Sequence, residues 1–168
     1  VPPARAAPGA TVEEEHAMAG YTDGEITVQM LWDIEQIKQL KARYFRMIDT
    51  KDWEGFRELF TDDCVHHLPQ ESAKGSVGND EYLSDMPRQL GNGVTTHHGH
   101  MPEITLLGPT EAEGIWAMFD YVQVEFEDGT EIDLKGYGHY FETYRKGDDG
   151  KWRISSKRNT RLRLDRLK

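Results

Sequence analysis

The chain is expected to fold as an α+β domain in which N-terminal helices pack on a strongly curved antiparallel or mixed sheet, giving a cone-shaped α+β barrel. Three observations lead there. Apolar residues recur at three- and four-residue spacing between Ile26 and Ile48, long segments of strand character follow Gly93, and tight-turn sequences separate those segments. Helices first and a large sheet afterwards put the core between two layers.

The first helix is read from Met30, Ile34, Ile37, Leu40, Tyr44 and Ile48, which share one face, while Glu35, Gln36, Lys38, Gln39, Lys41 and Arg43 form its wet side. A turn or cap at Tyr21-Thr22-Asp23-Gly24 precedes it. Asp52 then caps a short second helix carrying Trp53, Phe56, Leu59 and Phe60 toward the core. Residues Cys64–Leu68 form a first strand, and Asn79 caps a third helix with Tyr82, Leu83 and Met86, bent or ended by Pro87. The later strands are expected at Val94–Leu107, Glu113–Glu125, Ile132–Lys146 and Lys151–Leu164. The turns Glu127-Asp128-Gly129-Thr130 and Gly147-Asp148-Asp149-Gly150 join them into an antiparallel meander, and Gly99, Gly136 and Gly138 are bending points.

At 168 residues the chain is one domain's worth: an arm over residues 1–20, rich in Pro, Ala and Glu, and a domain over residues 21–168. A net charge of −10 disfavours nucleic acid and anionic membrane as partners. The single cysteine, Cys64, excludes an internal disulfide framework and reads as a buried, inert thiol. With no apolar run of spanning length and no signal core near Val1, a soluble, cytoplasmic protein is expected.

The chemistry centres on Thr96-His97-His98-Gly99-His100-Met101-Pro102-Glu103-Ile104. An elimination beside a carbonyl needs a base, a donor for the enolate oxygen and an acid for the leaving hydroxyl. Histidine can be base and acid in turn, and works better when a carboxylate holds its other nitrogen. Pairing through the Leu107–Glu113 turn brings the neighbourhood of His97 opposite Asp120, an acid among Trp116, Ala117, Met118, Phe119, Tyr121 and Val122 that needs a partner. Strand alternation allows only one of His97 and His98 to point inward. Tyr44, on the apolar face of the first helix, is a natural oxyanion donor, and Asp49 five residues on could tune or orient it. Each of the four also has a plain structural reading: core aromatic, helix terminator, satisfied strand histidine, paired acid.

With those residues in place, the chain resembles the SnoaL-like branch of the nuclear transport factor 2-like superfamily. It is closest in pattern to bile acid 7α-dehydratases and scytalone dehydratase-like lyases. The likeness rests on Ile34 through Asp49, His97 through Ile104, Gly114 through Asp120 and the Asp148–Trp152 turn, and covers about residues 34–164. It implies lyase chemistry without a cofactor or metal on a hydrophobic ring-bearing small molecule, in a homotrimer or homodimer. It assigns Tyr44, Asp49, His97 and Asp120 as catalytic, with Asp120 the partner of His97. His98, Trp116, Met118, Tyr137, His139, Phe141 and Arg161 are expected to bind substrate, with Arg161 at the cavity mouth. The chain departs from the pattern in His98, in Gly136-Tyr137-Gly138-His139-Tyr140 and in its basic last strand. Related lyases act on lignin-derived diaryl compounds with release of formaldehyde, which makes carbon–carbon cleavage an alternative to water loss. A non-catalytic small-molecule-binding module is the alternative from another class.

Other signals weigh less. His98-x-His100 with Glu103 is similar to a cupin metal motif but lacks a clear fourth ligand, and a metal-dependent oxygenase or isomerase is the third hypothesis. His66-His67 with His139 is better read as exposed histidines. The run Lys157 through Arg166 reads as a solvated strand or a subunit contact.

Overall fold

A computed structural model describes residues 26–68 and 75–167. The expected N-terminal arm and the turn at Tyr21–Gly24 lie outside the described residues.

Helix α1 spans Val28–Thr50 and begins after Thr27, whose hydroxyl accepts from the Met30 amide. That cap, rather than Ile26, sets the start, because it satisfies one of the free donors of the first turn. The helix ends at Lys51, which turns left-handed at φ 61° and donates its backbone N–H to the Met47 carbonyl. Ile37, Leu40, Tyr44 and Ile48 are buried, as their spacing requires. Lys41 is also fully buried, which corrects its placement on the wet side.

Helix α2 is a single turn, Trp53–Arg57, capped by the Asp52 carboxylate on the Gly55 amide. Phe60, expected in that helix, instead opens β1, which runs Phe60–His67. A short β2 at Ser76–Gly78 pairs antiparallel with β1. Helix α3 spans Asn79–Leu90. Its cap position is held by Gly78, and Asn79 is no cap: its side chain bonds His66 Nε2 at 3.1 Å and the Thr61 carbonyl at 3.2 Å. Pro87 does not end the helix, which continues to Leu90.

The remaining strands are β3 (Val94–Leu106), β4 (Glu111–Glu125), β5 (Glu131–Lys146) and β6 (Trp152–Arg166), an antiparallel meander as expected. Gly129 at φ 81° and Gly150 at φ 74° make two of its turns. The sheet order is β2-β1-β6-β5-β4-β3, with β1 parallel to β6, so the sheet is mixed and the cone stays open between its edge strands.

Burial alternates along β4 and β5, and the even-numbered residues from Ala112 to Asp120 and from Gly136 to Tyr144 form the inner face. Helix α1 lies over that face against β3 and β6, and α3 lies against β1. Between them a ladder of aromatic rings fills the base of the cone: Tyr44 meets Phe56, Phe60, Phe45 and Tyr140 at centroid distances of 5.0–6.2 Å. A register shift between Tyr137 and Gly138 lets the Thr160 carbonyl come within 1.8 Å of where a methyl on Gly138 would stand, an approach only glycine allows.

Candidate active site

Asp49, in the last turn of α1, reaches across to β3. Its carboxylate accepts from His97 Nδ1 at 2.7 Å, from the His97 backbone N–H at 2.9 Å and from Thr95 Oγ1 at 2.9 Å. Burial by itself raises the Asp49 pKa, but the bonds from His97 and Thr95 outweigh it and hold the carboxyl below its ordinary range. Lys51 Nζ, on the left-handed residue ending α1, donates to Thr95 Oγ1 at 2.7 Å and to the Ile48 carbonyl at 3.2 Å. The C-terminal end of a helix favours nearby positive charge, so an imidazolium formed at His97 meets both the carboxylate and the helix dipole. The His97 side chain is largely buried, and among the described residues its Nε2 has no hydrogen-bond partner. An imidazole oriented by a carboxylate is therefore present, but the carboxylate is Asp49.

Asp120 lies opposite His97 in the β3–β4 register yet is not its partner, which corrects the expected pairing. Its buried carboxylate is held by Arg161 Nη1 from β6, at 2.9 Å and 2.8 Å to its two oxygens. Gly136, opposite Asp120 on β5, leaves the space this ion pair occupies. Arg161 thus lies on the inner side of the sheet, where it also approaches Met118 Sδ at 3.8 Å.

A second buried polar group lies deeper, and no sequence signal was read for it. Lys41 is ion-paired with Glu142, both side chains being wholly buried. Glu142 also accepts from the Tyr144 hydroxyl at 2.7 Å, which in turn accepts from Trp116 Nε1 at 2.8 Å. Burial pulls the Lys41 pKa down to about 8 against the opposing pull of Glu142. Lys157, paired with Glu142 in the β5–β6 register, donates instead to the hydroxyls of Tyr44 at 3.1 Å and Tyr82 at 2.8 Å. Burial raises the Tyr44 pKa well above its usual value, so the phenol keeps its proton. The signal that could have found this group is position: Lys41 sits between Leu40 and Tyr44 on the apolar stripe, and Glu142 alternates in phase with Tyr140 and Tyr144.

His66, expected to be exposed, is buried and stacked on Tyr82 at 3.7 Å with the rings 8° apart. Burial, aided by the Lys157 charge, lowers its pKa to about 3. Cys64 is buried, and its thiol is pushed up to about 12 by that burial.

The expected substrate-binding set divides between the two faces. Trp116, Met118 and Arg161 belong with His97 and Asp120, whereas His98, Tyr137, His139 and Phe141 lie on the opposite, outer face. There His98 stacks on Phe119 at 5.6 Å, Phe119 meets Tyr137 at 5.3 Å, and His139 meets Phe141 at 6.3 Å. The reason is the two-residue period of a strand: Tyr137, His139 and Phe141 alternate out of phase with Gly136, Gly138 and Tyr140. Among the described residues no group of three or more His, Cys, Asp or Glu side chains is arranged to hold a metal ion.

An open, curved mixed sheet with helices over its inner face is the architecture of the nuclear transport factor 2-like class of domain. The chain belongs to the SnoaL-like domain family, which matches residues 29–158. Among solved structures it is similar to a proposed scytalone dehydratase from Novosphingobium aromaticivorans, with 22% identity, TM-score 0.73, and coverage of 85% of this chain and 93% of that one. It is also similar to a type 2 hexachlorocyclohexane dehydrochlorinase, with 16% identity, TM-score 0.71, and coverage of 84% and 93%. A protein of unknown function from Mycobacterium tuberculosis has 26% identity, TM-score 0.62, and coverage of 79% and 78%. No helix among the described residues is long and apolar enough to cross a membrane.

Proposed function

We propose that the protein is a cofactor-independent lyase carrying out a dehydratase-type elimination on a hydrophobic, hydroxylated cyclic or aromatic substrate. The observation that carries the proposal is the 2.7 Å bond from His97 Nδ1 to Asp49, which leaves Nε2 as the nitrogen available for proton transfer. His97 Nε2 takes a proton from the carbon next to a carbonyl, and the C–H electron pair moves onto the carbonyl oxygen. The enolate then re-forms its C=O, a C=C bond forms, and the β-hydroxyl departs with the proton returned by the imidazolium, so that water is the only other product. Asp49 stabilises the imidazolium between the two steps, and the Tyr44 phenol donates to the oxygen that gains charge. Trp116 and Met118 supply apolar surface, while Asp120 fixes Arg161 at the mouth for an electronegative group of the substrate. The eliminations named for two of the similar folds, a dehydratase and a dehydrochlorinase, support the reaction class. A homodimer or homotrimer belongs to the same reading and is measured by analytical ultracentrifugation.

Hydroxylated steroids, naphthalenols and lignin-derived dimers are the panel to screen, with ultraviolet absorbance from new conjugation as the readout. Activity with one class, abolished by His97→Gln, supports the lyase; formaldehyde in place of water would assign the same residues to carbon–carbon cleavage. Saturable ligand uptake with no product from any class would sink the lyase and leave a binding module.

A further inference from the structure

The buried polar group on the inner face holds more positive than negative charge. Lys41, Lys157 and Glu142 are all buried, and among the described residues Glu142 is the one carboxylate within the group. Its two oxygens are engaged by Lys41 and by the Tyr144 hydroxyl, so neither is bonded to Lys157. Lys157, only 5% exposed, has two neutral phenol oxygens as its hydrogen-bond acceptors. An ammonium has three N–H bonds, so one has no acceptor among the described residues. Among the described residues no other group brings Lys157 a full negative charge: the Tyr82 ring face lies 4.6 Å from its nitrogen, His66 is held neutral by burial, and Lys41 is a like charge. A buried cation without an anion is costly, and substituting an apolar side chain would remove the cost. The phenols acquire direction from it, because a hydroxyl that accepts from an ammonium must turn its own proton elsewhere.

We propose that Lys157, bridged to Tyr44 and Tyr82, is an anchor for an anionic oxygen of the ligand, and that the ligands of this protein are therefore phenolic or enolic. This rests on the lyase reading of the same site and gives its substrate class. A phenolate or enolate oxygen entering the group takes the free ammonium N–H and a phenol proton, and supplies the negative charge the group lacks. Tyr82, half-buried on α3, and Tyr44, buried on α1, then close on the oxygen from two sides.

The test uses the full chain with His97→Gln and two probes of one shape, 2-naphthol and naphthalene. Bound naphthol is expected to ionise at a pH at least one unit below that of free naphthol, a tenfold or larger preference for the anion, read from the naphtholate absorption band. Lys157→Met should weaken naphtholate binding about tenfold or more while leaving naphthalene within about twofold; Lys157→Arg should keep most of the preference. Failure of naphthol to bind, naphthol bound without a shift in ionisation, or Lys157→Met weakening both probes equally would each overturn the proposal. The wild-type elimination assay separates the two ideas, because loss of the anchor leaves conjugated product forming and loss of the lyase reading leaves naphtholate bound.

Discussion

Replacing Gly136 by alanine tests whether the Asp120–Arg161 pair is held by the space above that glycine. Strand propensity alone predicts a slight gain, about 0.5–1 kcal/mol, because glycine has more freedom to lose on folding. The geometry predicts the opposite sign. The new methyl would stand 2.0 Å from Arg161 Nη1 and 2.2 Å from Asp120 Oδ1, more than 1 Å inside an ordinary contact. Asp120 is short, buried and fixed on β4, so it cannot retreat; Arg161 is long, with 36% of its side chain exposed, and swings outward. The carboxylate is then left buried without its cation. Breaking a buried pair in this way costs about 3–5 kcal/mol, and partial exposure of Arg161 trims that to about 2–4 kcal/mol. For a domain of this size the melting temperature should fall by roughly 5–15 °C. Urea unfolding at pH 7 measures the loss. In an Asp120→Ala/Arg161→Met background, which removes both clashing groups, the same substitution should cost less than about 1 kcal/mol. Stability of the single variant within about 0.5 kcal/mol of wild type, or an equal cost in both backgrounds, would refute the reasoning.

Gly138→Ala should be worse, because the obstructing atom is the Thr160 backbone carbonyl at 1.8 Å and cannot rotate away; a loss of roughly 3 kcal/mol or more is expected, with faster amide exchange along β5 and β6. Asp49→Asn removes the charge opposite the imidazolium and sets its amide N–H groups against donors, since the native carboxylate accepts three bonds. If the site is a lyase, turnover should drop about a hundred- to ten-thousandfold while folding stays intact by circular dichroism. His66 is held neutral in the fold with its pKa lowered to about 3, so the unfolded chain binds the extra proton between about pH 6.5 and that value. The stability it confers is complete above that window and is lost as pH falls through it, at up to about 1.4 kcal/mol per pH unit; His66→Gln should flatten the acid side of the stability profile, read by thermal melts from pH 4 to 7.

The meander was legible because its strands are long and its turns carry Gly129 and Gly150 where φ is positive. Helix α1 was legible from its stripe, and the closeness of His97 to an acid from the chemistry of the motif. What could not be read was which acid. Register alone puts Asp120 across from His97, whereas the partner is Asp49, brought 48 residues along the chain by α1 lying over β3. The outer-face residues Tyr137, His139 and Phe141 were misassigned for a related reason: an aromatic in a strand announces burial on either face, and only the phase set by Gly136 and Gly138 separates them.

Taken alone, the amino-acid order determined the α+β class, the antiparallel run of strands and the presence of a histidine with acids within reach, because periodicity and turn chemistry are local properties. Tertiary structure alone decided that Asp49 holds His97, that Asp120 belongs to Arg161, and that Lys41, Glu142 and Lys157 share a buried charge cluster. Those pairings depend on how a helix crosses a curved sheet, a geometry no single segment encodes.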